Sequence, residues 1–96
     1  MSAACPEFAF EITFAVARET AVADRDALRQ AFIDIVESRG LSAAGGGDDA
    51  QRYMITRDGG QAIDADRDAL RAWAAGRADL VRVTVGPLVD LREAAI

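Results

Sequence analysis

The chain is 96 residues long, 51% apolar and 28% charged, and sets sixteen acidic residues against eleven arginines for a formal charge of −5. Such a length supports one small core, and the mixture is that of a folded domain, not of a disordered or fibrous segment. With no His, Lys or Asn, and with Cys5 as the single cysteine, the chain alone assembles no Ser-His-Asp or Cys-His nucleophile, no thiolate or imidazole zinc site and no internal disulfide.

From Glu7 the sequence alternates: Phe8, Phe10, Ile12, Phe14 and Val16 fall on one side, and Glu7, Ala9, Glu11, Thr13 and Ala15 on the other. Period two with aromatic and β-branched residues predicts a strand with one apolar face. Asp24-Arg25-Asp26 then opens a helix whose apolar stripe is Leu28, Ala31, Phe32, Ile35 and Val36. Arg39 lies in its last turn and Gly40 ends it. A short segment, Leu41 to Ala44, leads into Gly45-Gly46-Gly47-Asp48-Asp49, predicted as the connection of a hairpin whose second strand is Arg52 to Arg57, with Tyr53 and Ile55 on one side. A second helix is expected from Asp64 to Gly76, with Leu70, Trp73 and Ala74 as its stripe. The last clear strand runs from Leu80 to Gly86, with Val81, Val83 and Val85 on one face and Arg82 and Thr84 on the other. Pro87 ends that strand, because it has no N–H to give to a ladder.

The hexapeptide Asp24-Arg25-Asp26-Ala27-Leu28-Arg29 recurs letter for letter as residues 66–71. It opens the helix of each half, and Leu28 and Leu70 take the same core role. The order strand, helix, strand, strand, helix, strand therefore predicts an α+β fold, a ferredoxin-like βαββαβ sandwich with a four-stranded antiparallel sheet and both helices on one face. It is read as one domain over residues 1–96, with 1–6 and 92–96 poorly ordered. The opposite sheet face, with Glu7, Glu11, Thr13, Met54, Thr56 and Thr84, is mostly polar and is expected to be wet.

Several apparent motifs carry plainer readings. The triple glycine is followed by Asp48 and Asp49, which put negative charge where a P-loop holds phosphate. Asp64-Ala65-Asp66-Arg67-Asp68 imitates half of a calcium loop, but Ala69 and Ala75 stand where that loop needs Gly and a bidentate Glu. The acids favour the N-terminus of the second helix instead. Stacking of RNA bases on sheet aromatics is disfavoured, because Phe8, Phe10, Phe14 and Tyr53 all belong to the apolar face. Trp73 reads as core, and Glu7 and Glu11 as solvated carboxylates without a pocket. Net negative charge, with a pI near 4.5, argues against a purely electrostatic nucleic-acid clamp. No apolar run approaches the roughly 18–20 residues of a membrane helix. The residues before Cys5 lack the charged and apolar segments of a lipoprotein signal, so an untethered N-terminus in the cytoplasm is expected.

The Gly-rich hairpin and the last strand carry a resemblance. The alternating first strand, Ala31-Phe32-Ile33-Asp34 with Gly40-Leu41, the Gly45-Gly46-Gly47 run, Asp66 to Trp73 with Arg77, and above all Val83-Thr84-Val85-Gly86-Pro87-Leu88-Val89-Asp90 follow in an order that resembles the YggL family of bacterial proteins, described as binding the 50S ribosomal subunit. Leu91 stands where relatives have a tryptophan, and no basic N-terminal arm is present. The resemblance implies a non-catalytic protein that needs no cofactor or metal and contacts the large ribosomal subunit through ribosomal protein or rRNA, with a role in ribosome function or assembly. Gly45, Gly46, Gly47, Arg52, Gly86 and Asp90 are its candidate contacts. DNA and membranes are not expected partners, and a homodimer is compatible with it. Arg52, Arg57 and Arg82, on or beside neighbouring strands, either form a local basic patch or pair with Glu7 and Glu11 across the sheet. The alternative function is a small-ligand-binding or self-associating domain of the same fold.

Overall fold

Alternation in the first strand decides the architecture. In the computed structural model, which describes residues 7–91, β1 (Phe8–Val16) is followed by α1 (Val22–Ser38), β2 (Leu41–Gly47), β3 (Ala50–Arg57), α2 (Asp64–Ala75), β4 (Leu80–Val85) and a two-residue β5 (Val89–Asp90). The strands form an antiparallel sheet in the order β2-β3-β1-β4, and β5 also pairs with β1. The fold is thus α+β, as the periodicities predict. Cys5 and the segments 1–6 and 92–96, expected to be poorly ordered, lie outside the described residues.

Phe10, Ile12, Phe14 and Val16 are all buried and meet Leu28, Phe32 and Val36 of α1, Leu70 of α2, and Tyr53 and Ile55 of β3 in one core. Each large side chain removed from water there stabilises the fold by about 1.5–3 kcal/mol. Phe32 is the hub of an aromatic cluster, with ring centroids 5.5 Å from Phe14, 4.7 Å from Tyr53 and 5.6 Å from Trp73. Trp73 packs on the core from its edge, as its helical spacing suggests. Gly40 ends α1 with φ 72°, a conformation that glycine adopts without a steric penalty.

The structure corrects three expectations. Gly45, Gly46 and Gly47 are not a connection: they are the last three residues of β2, opposite Tyr53, Arg52 and Gln51, and only Asp48 and Asp49 form the turn. Gly45 and Gly47 have φ of 147° and 145°, and a Cβ on either would run into the Arg52 or Ala50 carbonyl oxygen. Only glycine lets β2 approach β3 there, and periodicity cannot tell a side-chain-free strand from a loop. The second correction concerns β4. A bulge between Ala15 and Val16 sets Leu80, not Val81, opposite Val16. Leu80 then packs on the core while Val81 turns outward, 59% exposed. An inserted residue reverses the facing of everything beyond it. Third, α1 begins at Val22, two residues before the acidic triplet.

A buried ionic node, which no local pattern announces, completes the packing. Asp66, 0% exposed, accepts two hydrogen bonds from Arg57 Nη2 (2.6 and 2.7 Å), one from Arg39 Nε (3.1 Å) and one from the Ile63 N–H (3.0 Å). Arg57 Nη1 also donates to the Arg39 carbonyl at 2.8 Å. One carboxylate therefore ties the start of α2 to the end of β3 and to the end of α1. Burial by itself would raise its pKa. The hydrogen bonds from Arg57, Ile63 and Arg39 outweigh that, and the carboxyl is held below its usual range.

These contacts make two variants informative. Gly45→Ala is expected to cost about 1–3 kcal/mol, a melting temperature lower by roughly 4–8 °C per kcal/mol, whereas Gly59→Ala, at φ 72° with open space around its Cβ, loses only the conformational part. Thermal melts of the two variants compare them directly. Asp66→Asn is expected to cost about 2–4 kcal/mol, since it leaves two guanidiniums facing a neutral amide while both still reach water. Because the folded-state pKa is depressed, this stabilisation is present above pH ~4 and is lost as pH falls through the folded value. Urea midpoints measured from neutral to acidic pH should fall steeply for the wild type and more gently for Asp66→Asn.

Candidate interaction face

The sheet face away from the aromatic core carries the outward residues of four strands. Cross-strand pairing sets Gly46, Arg52, Thr13 and Thr84 in one row across β2, β3, β1 and β4. Ala44, Met54 and Glu11 form the next row, and Arg82 lies opposite Ala15. Directly opposed residues share a face in an antiparallel pair, so this is one continuous surface. Thr13, Ala15, Gly46, Arg52, Arg82 and Thr84 line an open depression of about 500 Å³ in it. Ala15 and the side-chain-free Gly46 leave this part of the face open.

Three arginines have separate fates. Arg52, with its side chain 74% exposed, lies 3.6 Å from the Glu11 carboxylate. That is the expected cross-sheet pair, and at such exposure it contributes little. Arg57 is not on this face. It shares the parity of Tyr53 and Ile55, pairs with Leu41 and reaches Asp66 below the sheet. The three-arginine patch is therefore not assembled, and the strand alternation already held the reason. Arg82 is exposed and has no ion-pair partner among the described residues, and neither Arg57 nor Arg82 pairs with Glu7 or Glu11. No three carboxylate or thiol groups converge among the described residues.

Of the candidate contacts, Gly46 and Arg52 are register partners on the open face, with Gly45 and Gly47 beside them on the edge strand. Gly86 lies across β1, its N–H donating to the Glu11 carbonyl at 2.7 Å. Its own carbonyl accepts from Arg67 Nε at 2.8 Å. Asp90 lies further along, opposite Phe8 in β5, and its carboxylate accepts the Glu7 N–H at 3.2 Å. The structure brings Gly46 and Arg52 together, borders them with Gly86 beyond Glu11, and sets Asp90 at the far end of β1. The carboxylates of the imitation calcium loop are all paired: Asp64 with Arg67, Asp66 with Arg57 and Arg39, and Asp68 with Arg71.

Two features here escaped the sequence. Gln51 is buried, accepts the Tyr53 hydroxyl at 2.7 Å and donates to the Asp48 carbonyl at 3.2 Å, which fixes the hairpin turn. The β5 segment holds residues 86–91 along β1, with the Leu91 N–H donating to the Glu7 carbonyl at 3.0 Å. A two-residue strand is too short to leave a period, so only the pairing reveals it. No helix among the described residues is long and apolar enough to cross a membrane.

A family model described as YggL 50S ribosome-binding protein matches residues 5–92. No curated protein matches the chain. The match covers both helices, all five strands and the Gly86–Asp90 segment. Arg67→Gln is expected to release that segment from α2. Amide hydrogen exchange should quicken at Gly86 and Leu91 and stay slow at Ile12, which a backbone-resolved exchange measurement will test.

Proposed function

The chain belongs to the YggL 50S ribosome-binding protein family, and from that premise we propose that it is a non-catalytic, cytoplasmic protein that binds the large ribosomal subunit and acts in ribosome function or assembly. The observation that carries this reading is the family match over residues 5–92. We read those residues as one ferredoxin-like domain, supported by the βαββαβ element order and by the sheet order β2-β3-β1-β4. Gly45, Gly46, Gly47, Arg52, Gly86 and Asp90 are its contacts in this reading. Glycines at the β2 edge let a partner approach the backbone closely, and Arg52 supplies an exposed, forked donor.

Sedimentation of a lysate through sucrose gradients tests the proposal. The protein is expected to migrate with the 50S fraction at low salt and to be partly released at moderate salt, as surface charge contacts are screened. If it stays wholly at the top of both gradients while an established ribosome binder migrates, the proposal fails.

A further inference from the structure

The chain carries a net charge of −5, and Glu11 stands on the open sheet face, but the lining of the depression itself includes two arginines. No carboxylate lines the depression between β2 and β4, whereas Arg52 and Arg82 stand on either side of it. Thr13 and Thr84, directly opposite each other, lie between the two arginines, and their hydroxyls make no side-chain hydrogen bond within the described protein. Gly46 leaves the rim beside Arg52 bare.

We infer that this depression is a cradle for the phosphate backbone of RNA, gripped by Arg52 and Arg82 with the Thr13 and Thr84 hydroxyls between them. The inference rests on the ribosomal reading above and names the chemistry of the contact. Arg52 and Arg82 belong to strands on opposite sides of β1 and are offset by two residues along it, so their backbones are roughly 12 Å apart. That spacing suits a repeating anion better than a single carboxylate. A guanidinium fork matches phosphate oxygens, and hydroxyls add neutral donors between two such forks. The weak, exposed pair between Arg52 and Glu11, at 3.6 Å, is easily exchanged for a phosphate.

RNA is favoured over a protein segment because the depression has no hydrophobic anchor. Phe14, its largest apolar liner, is buried beneath it. Protein interfaces draw most of their affinity from aromatic or other large side chains seated in pockets, whereas phosphate contacts need only donors. The same lack of exposed aromatics leaves bases nothing to stack on, so binding is backbone-directed and independent of sequence.

The test measures affinity for protein-free large-subunit rRNA between roughly 50 and 200 mM salt, with pelleting on intact 50S subunits alongside. Three proteins are compared: the wild type, R52Q/R82Q, and R18Q/R29Q as a control that removes the same charge from exposed arginines elsewhere. All four positions are exposed, and thermal melts confirm that the variants fold. R52Q/R82Q is expected to weaken RNA binding about ten-fold or more and to lower the log–log salt slope by about 1.4, near 0.7 for each phosphate no longer neutralised. R18Q/R29Q is expected to match the wild type. The inference is overturned if the wild type does not bind protein-free rRNA, if R52Q/R82Q binds with unchanged affinity and slope, or if R18Q/R29Q loses as much. Pelleting on 50S subunits without binding to free rRNA assigns the contact to ribosomal protein; the family reading then stands and this inference falls. Binding to rRNA through Arg52 and Arg82 without 50S pelleting has the opposite meaning.

Discussion

Register along β1 is the constraint from which the rest of the structure follows. This strand pairs with β3 on one side and with β4 and β5 on the other, so each of its residues has both a face and two neighbours assigned. A slip of one position would exchange Phe10, Ile12 and Phe14 for Glu11, Thr13 and Ala15 beneath the helices. Three buried apolar side chains at about 1.5–3 kcal/mol each hold the strand against that slip. The outer face inherits its order from the same restraint: Thr13 lies between Arg52 and Thr84 because its neighbours in β1 are locked into the core.

The sheet is joined to its helices by two kinds of contact. Apolar packing through Phe32 and Leu70 supplies most of the driving force but little direction. The Arg57–Asp66–Arg39 node supplies direction. Its hydrogen bonds require the end of β3, the start of α2 and the end of α1 to meet at one carboxylate. A buried charge left without these partners would be costly, so the node disfavours alternative packings more than it adds net stability. One of its cations is Arg57, which the alternation of β3 turns inward, while Arg52 and Arg82 flank the open depression.

Much of this was legible in the sequence, and the failures have specific causes. The faces of β1, the stripes of both helices, the stop at Gly40 and the polar outer face all follow from local periodicity and capping. The alternation of β3 also placed Arg57 on the inner side, although nothing local names Asp66 as its partner 9 residues on. The β2 glycines, the bulge opposite Val16 and the β5 pairing all depend on strands distant in sequence. They leave no repeat for a reader to find. Of the open depression, Arg52, Thr13 and Thr84 were legible as outward residues; their assembly with Gly46 and Arg82 required the sheet order.

The repeated hexapeptide separates the two sources of information cleanly. In both copies the sequence alone set the helical phase: Asp24 and Asp66 are each the third residue of their helix, and Leu28 and Leu70 are both buried. Arg25 and Arg67 even make parallel bonds, each giving Nε to a backbone carbonyl and Nη1 to a carboxylate. Tertiary structure alone decided that Asp24 faces water while Asp66 lies under two guanidiniums. Local sequence fixes how side chains are distributed around a helix, because backbone geometry repeats. It does not fix what a given side chain meets, because its partners come from segments whose approach is set by the packing of the whole sheet.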